Sequence, residues 1–191
     1  MDKYNKYLTM KYFVSAAAGL LLCWSVAAQN FAIATNVLDY VDLGTLNVEA
    51  SCGIARHWSV LAGVKYNPFT YGEGSDAVAD RQRSVEAGAR FWPWHIYSGW
   101  WLSGKLKWQE YNRGGFVSPV ASEGDRYGGS LAAGYTFMLN SYLNLDVGMG
   151  VWSGYDKYTE YECLRCGRVV GGGEKFFVLP NDILLTFSFI F

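Results

Sequence analysis

The nine residues Leu143–Val151, LNLDVGMGV, decide how this chain is read. Leu143, Leu145, Val147, Met149 and Val151 share one side of a two-residue period, and Asn144, Asp146, Gly148 and Gly150 share the other. Successive side chains of a strand point to opposite faces, so this is a strand with one apolar face and one polar or small face. Working outward, the same alternation returns. Leu46, Val48, Ala50, Cys52 and Ile54 oppose Asn47, Glu49, Ser51 and Gly53. Val85, Ala87, Ala89 and Phe91 oppose Glu86, Gly88 and Arg90. Trp100, Leu102, Leu106 and Trp108 oppose Ser103, Lys105, Lys107 and Gln109. Leu131, Ala133, Tyr135 and Phe137 oppose Ser130, Ala132, Gly134 and Thr136. With a run from Trp58 to Asn67, a less regular one from Phe31, and a last one that aligns Ile183, Leu185, Phe187, Phe189 and Phe191, the count is eight strands.

Either face of such a sheet can be the inner one. A soluble barrel or sandwich turns its apolar face inward; a transmembrane barrel turns it toward lipid and keeps a polar interior. The polar faces here carry Glu49, Lys65, Glu86, Arg90, Lys105, Lys107 and Asp146, both signs together, among Gly, Ser and Ala. Charges of both signs suit an enclosed ion network, and small residues leave room for the long side chains inside an eight-stranded barrel. The chain has 191 residues, of which 17% are charged and 17% aromatic. That charge is low against roughly 25% in soluble domains, too little to clothe a soluble surface. A formal net charge of -1 and the lack of any basic run exclude a nucleic-acid partner.

Connection lengths alternate. Turns near Arg56–His57, Pro93–Ser98 and Asn140–Tyr142 are short, whereas Asn67–Arg83, Tyr111–Arg126 and Asp156–Lys175 read as long polar loops. Only the first outward connection, Tyr40–Leu43, is short. Short turns at one end and long loops at the other is the plan of outer-membrane barrels. The expected fold is an all-β, eight-stranded antiparallel transmembrane up-and-down β-barrel. Two aromatic belts follow: Trp58, Trp92, Trp94, Tyr97, Trp100 and Tyr142 beside short turns, and Tyr66, Phe69, Trp108, Tyr127, Trp152 and Tyr155 beside long loops.

The N-terminus agrees with export. Lys3, Lys6 and Lys11 precede an apolar run, Phe13–Ala28, that ends in Val26-Ala27-Ala28 before Gln29. This reads as a signal peptide, residues 1–28, cleaved between Ala28 and Gln29. The competing readings are an uncleaved helix, which falls short of the roughly 20 residues needed to span, and a lipoprotein anchored at Cys23, disfavoured by Leu22 before it. Residues 29–191 then form a single barrel domain that lodges in the outer membrane. Phe187, Phe189 and Phe191 form a C-terminal signal for the barrel-insertion machinery.

Cys163 and Cys166 form C-x-x-C in the last long loop. In an exported chain the first reading is a disulfide between them. A zinc site would need two further ligands, and His57 and His95 lie at the opposite end; a redox pair of thioredoxin type belongs to a βαβ context. Cys52, on an apolar stripe, reads as a small apolar side chain. Gly171–Gly173 lack the strand, helix and Lys-Ser/Thr of a phosphate loop. No nucleophile–base–acid arrangement is defensible, so no catalytic residue, metal or cofactor is expected, and the chain is read as a non-enzyme.

The closing stretch from Tyr155 resembles an uncharacterised Bacteroidetes family of small outer-membrane β-barrels, a domain of unknown function. The resemblance uses Tyr155–Tyr158, Cys163, Cys166, Gly167, Lys175, Phe176 and Phe177, with Thr35-Asn36, Tyr66-Asn67-Pro68 and Arg90-Phe91-Trp92 as weaker matches. One departure is Leu164-Arg165 inside the C-x-x-C, where the family often has Pro. Some members are encoded near fimbrillin genes, so the resemblance implies a surface or fimbrial role. The functional expectation is a small outer-membrane barrel whose loops serve a structural or interaction role linked to fimbriae or adhesion. Its partners would be lipid, the insertion machinery and fimbrial or other surface proteins. The alternatives are a narrow pore or small membrane enzyme, against which Lys65, Arg90, Lys105 and Lys107 obstruct the lumen, and a soluble periplasmic ligand-binding barrel.

Overall fold

The computed structural model describes residues 31–72, 77–115, 120–164, 168–180 and 183–191. The proposed signal segment with Ala28 and Gln29 lies outside the described residues, as do Cys23 and Cys166. The strands are β1 Phe31–Asn36, β2 Leu46–Ala55, β3 Trp58–Asn67, β4 Thr70–Tyr71, β5 Val78–Phe91, β6 Gly99–Gly114, β7 Ala121–Met138, β8 Leu143–Tyr161, β9 Val169–Leu179 and β10 Leu184–Ile190. One short helix, α1, spans Val37–Val41. Among the described residues no helix is long and apolar enough to cross a membrane.

All ten strands join one antiparallel sheet, in the order β10-β1-β2-β3-β5-β6-β7-β8-β9, with the two-residue β4 paired to β5 beside that path. β10 also pairs with the lower half of β8, which closes a ring of hydrogen bonds through eight strands. The ladders fix its stagger. From Ala34 one route runs through Glu49, Gly63, Glu86, Lys107 and Gly128 to Gly154; the other runs through Ser188 to Asn144. The two routes meet β8 ten residues apart. Such a stagger over eight strands tilts each by about 40° to the ring axis.

The alternation read from the sequence has its apolar stripe outside. Val48, Val85, Leu106, Leu131 and Val147 are 46%, 52%, 76%, 74% and 41% exposed. Ser59, Ser84, Ser103, Ser130 and Thr136 line the inside and are buried. Two differences concern the ends of strands. The segments read as long loops are largely strand, because β6, β7 and β8 run on for 16, 18 and 19 residues against ten for β2 and β3. The alternation continues through Asp80, Gln82 and Ser84, but charged residues there mask it as loop. The eighth strand is broken: β9 pairs with the upper half of β8 and β10 with the lower half, with Pro180 after β9.

β1 stops early for a local reason. The Asn36 amide N–H donates to the Asn47 side-chain oxygen at 2.7 Å, and the Asn47 Nδ2 donates back to the Asn36 carbonyl at 2.8 Å. This side-chain pair replaces the ladder bond, and Asn36 caps α1 by accepting from the Leu38 N–H at 3.3 Å.

Candidate functional site

The interior is built in three layers. Nearest the short turns, Trp92, Tyr97 and Trp101 fill the ring with Ala32, Ala132 and Leu184. Trp92 Nε1 donates to Ser59 Oγ at 3.0 Å. Trp101 lies against Gly134 and Gly148, where an added Cβ would approach its ring to 2.3 and 2.8 Å. Trp92, Tyr97 and Trp152 were expected in the outer aromatic belts, and all three are buried inside. Parity explains it. Trp92 follows outward Phe91 by one residue, and Trp152 follows outward Val151, so each falls on the inner stripe.

The middle layer brings five of the seven candidate charges together. Arg90 reaches Glu49 and Asp146, each at 3.2 Å, and Lys105 reaches Glu49 at 2.8 Å and Glu86 at 2.9 Å. Asp146 also accepts from Thr136 at 2.6 Å and Ser188 at 3.1 Å. The Arg90 guanidinium stands 4.4 Å from the Trp101 ring centroid, which ties this layer to the aromatic one. The two remaining candidates flank this layer. Lys65 bonds Asp39 of α1 at 2.7 Å, and the Lys107 ammonium sits 4.6 Å from the Trp152 ring centroid.

The upper layer surrounds a polar cavity of about 350 Å³ with Lys107 on its wall. Arg113 grips Asp80 with two bonds of 2.6 and 2.9 Å. Arg126 donates to Asp156 at 3.0 Å, and the Tyr111 hydroxyl donates to the same carboxylate at 2.9 Å. Burial pushes the Tyr111 hydroxyl up from its ordinary range. Asp42, at the cavity mouth, has its carboxyl raised by burial first and by the neighbouring Asp80 next. Sequence reasoning missed Asp39, Asp80, Tyr111, Arg113, Arg126 and Asp156. Asp80, Tyr111 and Arg113 keep parity with Glu86 and Lys107, a signal that extending the strands would have caught.

On the outside, two adjacent rows mark a boundary. Val85, Trp108, Tyr127, Tyr155 and Phe176 stand side by side across five strands. The next row toward the loop end is Arg83, Glu110, Asp125, Lys157 and Glu174. At the opposite end Trp58 meets Phe91 at 5.1 Å and Trp100 meets Tyr135 at 5.2 Å. Phe187 and Phe189 lie on the outer stripe of β10, and the Phe191 N–H donates to the Phe31 carbonyl at 2.8 Å.

The cysteines differ from expectation in one respect. Cys52 is disulfide-bonded and buried, so it is not a simple apolar filler. Cys163 is disulfide-bonded too. Cys52 pairs with Phe31 and Val60, and the ladder leads from Val60 across to Val151, whereas β8 runs ten residues further, about 34 Å, to Tyr161 before the chain reaches Cys163. The two cannot bond each other, and the partner of each lies outside the described residues. Among the described residues no group of three or more His, Cys, Asp and Glu is placed to hold a metal.

These features define an all-β protein whose closed antiparallel sheet is apolar outside and charged within. The chain belongs to a family of proteins of unknown function, DUF3575, whose model matches residues 14–191. No curated protein and no solved structure matches the chain.

Proposed function

We propose that this ring is a transmembrane β-barrel of the outer membrane, delivered by a signal peptide, that holds a projecting sheet of long strands at the cell surface for interaction with other surface proteins. The observation that carries it is the pair of outer rows, the first aromatic in four of five positions and the second charged, above a continuous apolar band. From Tyr127 to Phe137 on β7 is ten residues. At about 3.4 Å per residue and a tilt near 40°, that is about 25 Å of height. It equals the apolar band of such barrels, roughly 25 Å, flanked by aromatic girdles. In hydrocarbon every backbone group must be paired, and a ring without edges does that. Phe187, Phe189 and Phe191 supply the outward C-terminal stripe offered to the insertion machinery.

Above the charged row, β6, β7 and β8 continue to Gly114, from Ala121 and to Tyr161. They form the part that a fimbrial or other surface partner would meet. The interior supports a structural rather than a conducting role, because Trp101, Arg90 and Lys105 fill its middle. The test is gel mobility before and after boiling, together with fractionation. The proposal expects a fast-running unheated band in the outer-membrane fraction. Recovery in the soluble periplasm, with unchanged mobility on heating, overturns it.

A further inference from the structure

We propose that the open edge of β9 is a docking site for an extended segment of another surface polypeptide, which adds as a further strand and lays aromatic side chains over Gly171 and Gly173, which share one face of β9. The proposal rests on the membrane reading above in placing this edge outside the cell and in setting aside antiparallel pairing with a second copy.

β9 pairs with β8 on one side and with no strand on the other among the described residues. The cause is the early end of β1. Asn36 lies opposite Thr186, and at that register β1 would have to run past residue 43 to reach Leu179 and past residue 53 to reach Val169. Instead it turns into α1, and residues 46–55 form β2. The eleven residues of β9 therefore keep an edge, with about half of their N–H and C=O groups directed away from β8.

Edges of this kind are usually blunted by charges, Pro or bulges. The two charges on β9 lean the other way. Glu174 meets Lys157 of β8 at 3.4 Å. Lys175 meets Asp156 of β8 at 3.8 Å and stands 4.1 Å from the Tyr158 ring centroid. Both are drawn back over the sheet and leave the edge bare. Gly171–Gly173 add no side chains of their own, and a Cβ built at Gly173 meets nothing within 4 Å. A shallow open depression of about 520 Å³ wraps this edge, with Tyr158 on the face of Gly173 and Thr159 on the face of Gly172. An aromatic side chain placed across from an edge glycine covers it and stabilises the pair. Backbone bonds would supply affinity, and the glycine depression would supply preference for large side chains.

A second copy fits poorly. Antiparallel pairing of two β9 edges needs a two-fold axis perpendicular to the sheet, which would point the second ring out of the membrane holding the first. Parallel pairing in register would set Glu174 beside Glu174 and Lys175 beside Lys175, like charges directly opposed.

The test follows backbone amide exchange, residue by residue, in the full chain folded in detergent micelles. The probe is a synthetic peptide, Lys-Thr-Tyr-Thr-Tyr-Thr-Lys, and its control carries Ser for Tyr. In the free protein the β9 amides facing away from β8 should exchange at least tenfold faster than those facing it. The Tyr peptide should slow the fast set at least tenfold and leave the slow set unchanged; the Ser peptide should act less. Gly171→Pro and Gly172→Pro place the ring at one inward and one outward amide, and the outward one should abolish the effect. Uniformly slow exchange in the free chain overturns the proposal, as does a Tyr peptide without effect. Equal action of the two peptides removes the aromatic preference and overturns it in that form. Vesicle insertion is scored separately, so loss of membrane binding with peptide binding intact would sink the membrane reading alone.

Discussion

Arg90 of β5 lies 3.2 Å from Asp146 of β8, although β6 and β7 stand between those strands in the sheet. Three strand spacings of about 4.8 Å would hold them roughly 14 Å apart in a flat sheet. Only a sheet bent round on itself brings them into contact, so this ion pair reports closure as well as contributing to it.

Asp146→Asn should therefore destabilise the fold strongly. The variant leaves Arg90, 7% exposed, with Glu49 alone, and weakens the bonds from Thr136 and Ser188. Removing one partner of a buried pair costs about 3 to 5 kcal/mol. The retained Glu49 contact should keep the loss near the lower figure. Urea unfolding in micelles measures it. A loss below about 1 kcal/mol would show that the pair is not desolvated.

The closed ring and its polar inside are legible because a two-residue period survives in every strand: Leu143–Val151 puts Asp146 and Val147 on opposite faces, and the charges of both signs on the polar faces of the other strands point Asp146 inward. The upper layer was not legible. Asp80, Arg113 and Asp156 continue the inner stripe, but charged and glycine-rich surroundings read as loop, so their pairing partners could not be assigned. The inward tryptophans were missed for a different reason. Nearness to strand ends puts Trp92 and Trp152 in the belts, but parity governs which way each points. The early stop of β1 rests on an Asn36–Asn47 exchange across two strands, which a single sequence does not announce.

Leu131→Arg should separate a lipid-facing from a water-facing exterior. Leu131 is 74% exposed and lies near the middle of the apolar band. An arginine at the bilayer midplane of such a barrel costs about 2 to 4 kcal/mol, whereas on a watery surface the change is usually within about 0.5 kcal/mol. Folding equilibria into lipid vesicles, compared with detergent micelles, read the difference. Asp125→Arg, in the charged row, should cost little in either medium.

Gly134→Ala should disturb the turn-end layer and the ion layer together. The new Cβ would fall 2.3 Å from the Trp101 ring and 2.4 Å from the Val147 carbonyl. Overpacking of this kind costs about 1 to 3 kcal/mol. Because Trp101 stacks on Arg90, its displacement should shift tryptophan fluorescence as well as stability. Gly173→Ala, where nothing lies within 4 Å, is the matched control and should leave the fluorescence unchanged.

Thiol counting tests processing. The chain holds four cysteines, and the two described ones are both disulfide-bonded. Cleavage after Ala28 removes Cys23 and leaves three cysteines, so one cysteine that is bonded in the full chain must lose its partner. Protein purified from membranes should then show one reactive thiol per chain under denaturing, non-reducing conditions and three after reduction. No thiol before reduction and four after it would show that the N-terminal segment is retained.

Asp42 gives a pH test with a defined sign. Burial and the nearby Asp80 raise its carboxyl in the folded chain above the unfolded value of about 4. Its ionised form is the one the fold disfavours, although Arg113 works in the opposite direction. The stabilisation from this group is full where the carboxyl is protonated in both states, below about pH 4, and is lost as pH rises through the raised folded value. Asp42→Asn should accordingly be more stable than the parent at pH 7, and the two should converge as pH falls below about 4. Water screens an exposed side chain, so the gain should be small, at most about 1 kcal/mol. Urea midpoints at pH 7 and pH 3.5 measure it. A variant less stable than the parent at pH 7 would mean that attraction to Arg113 outweighs burial at the cavity mouth.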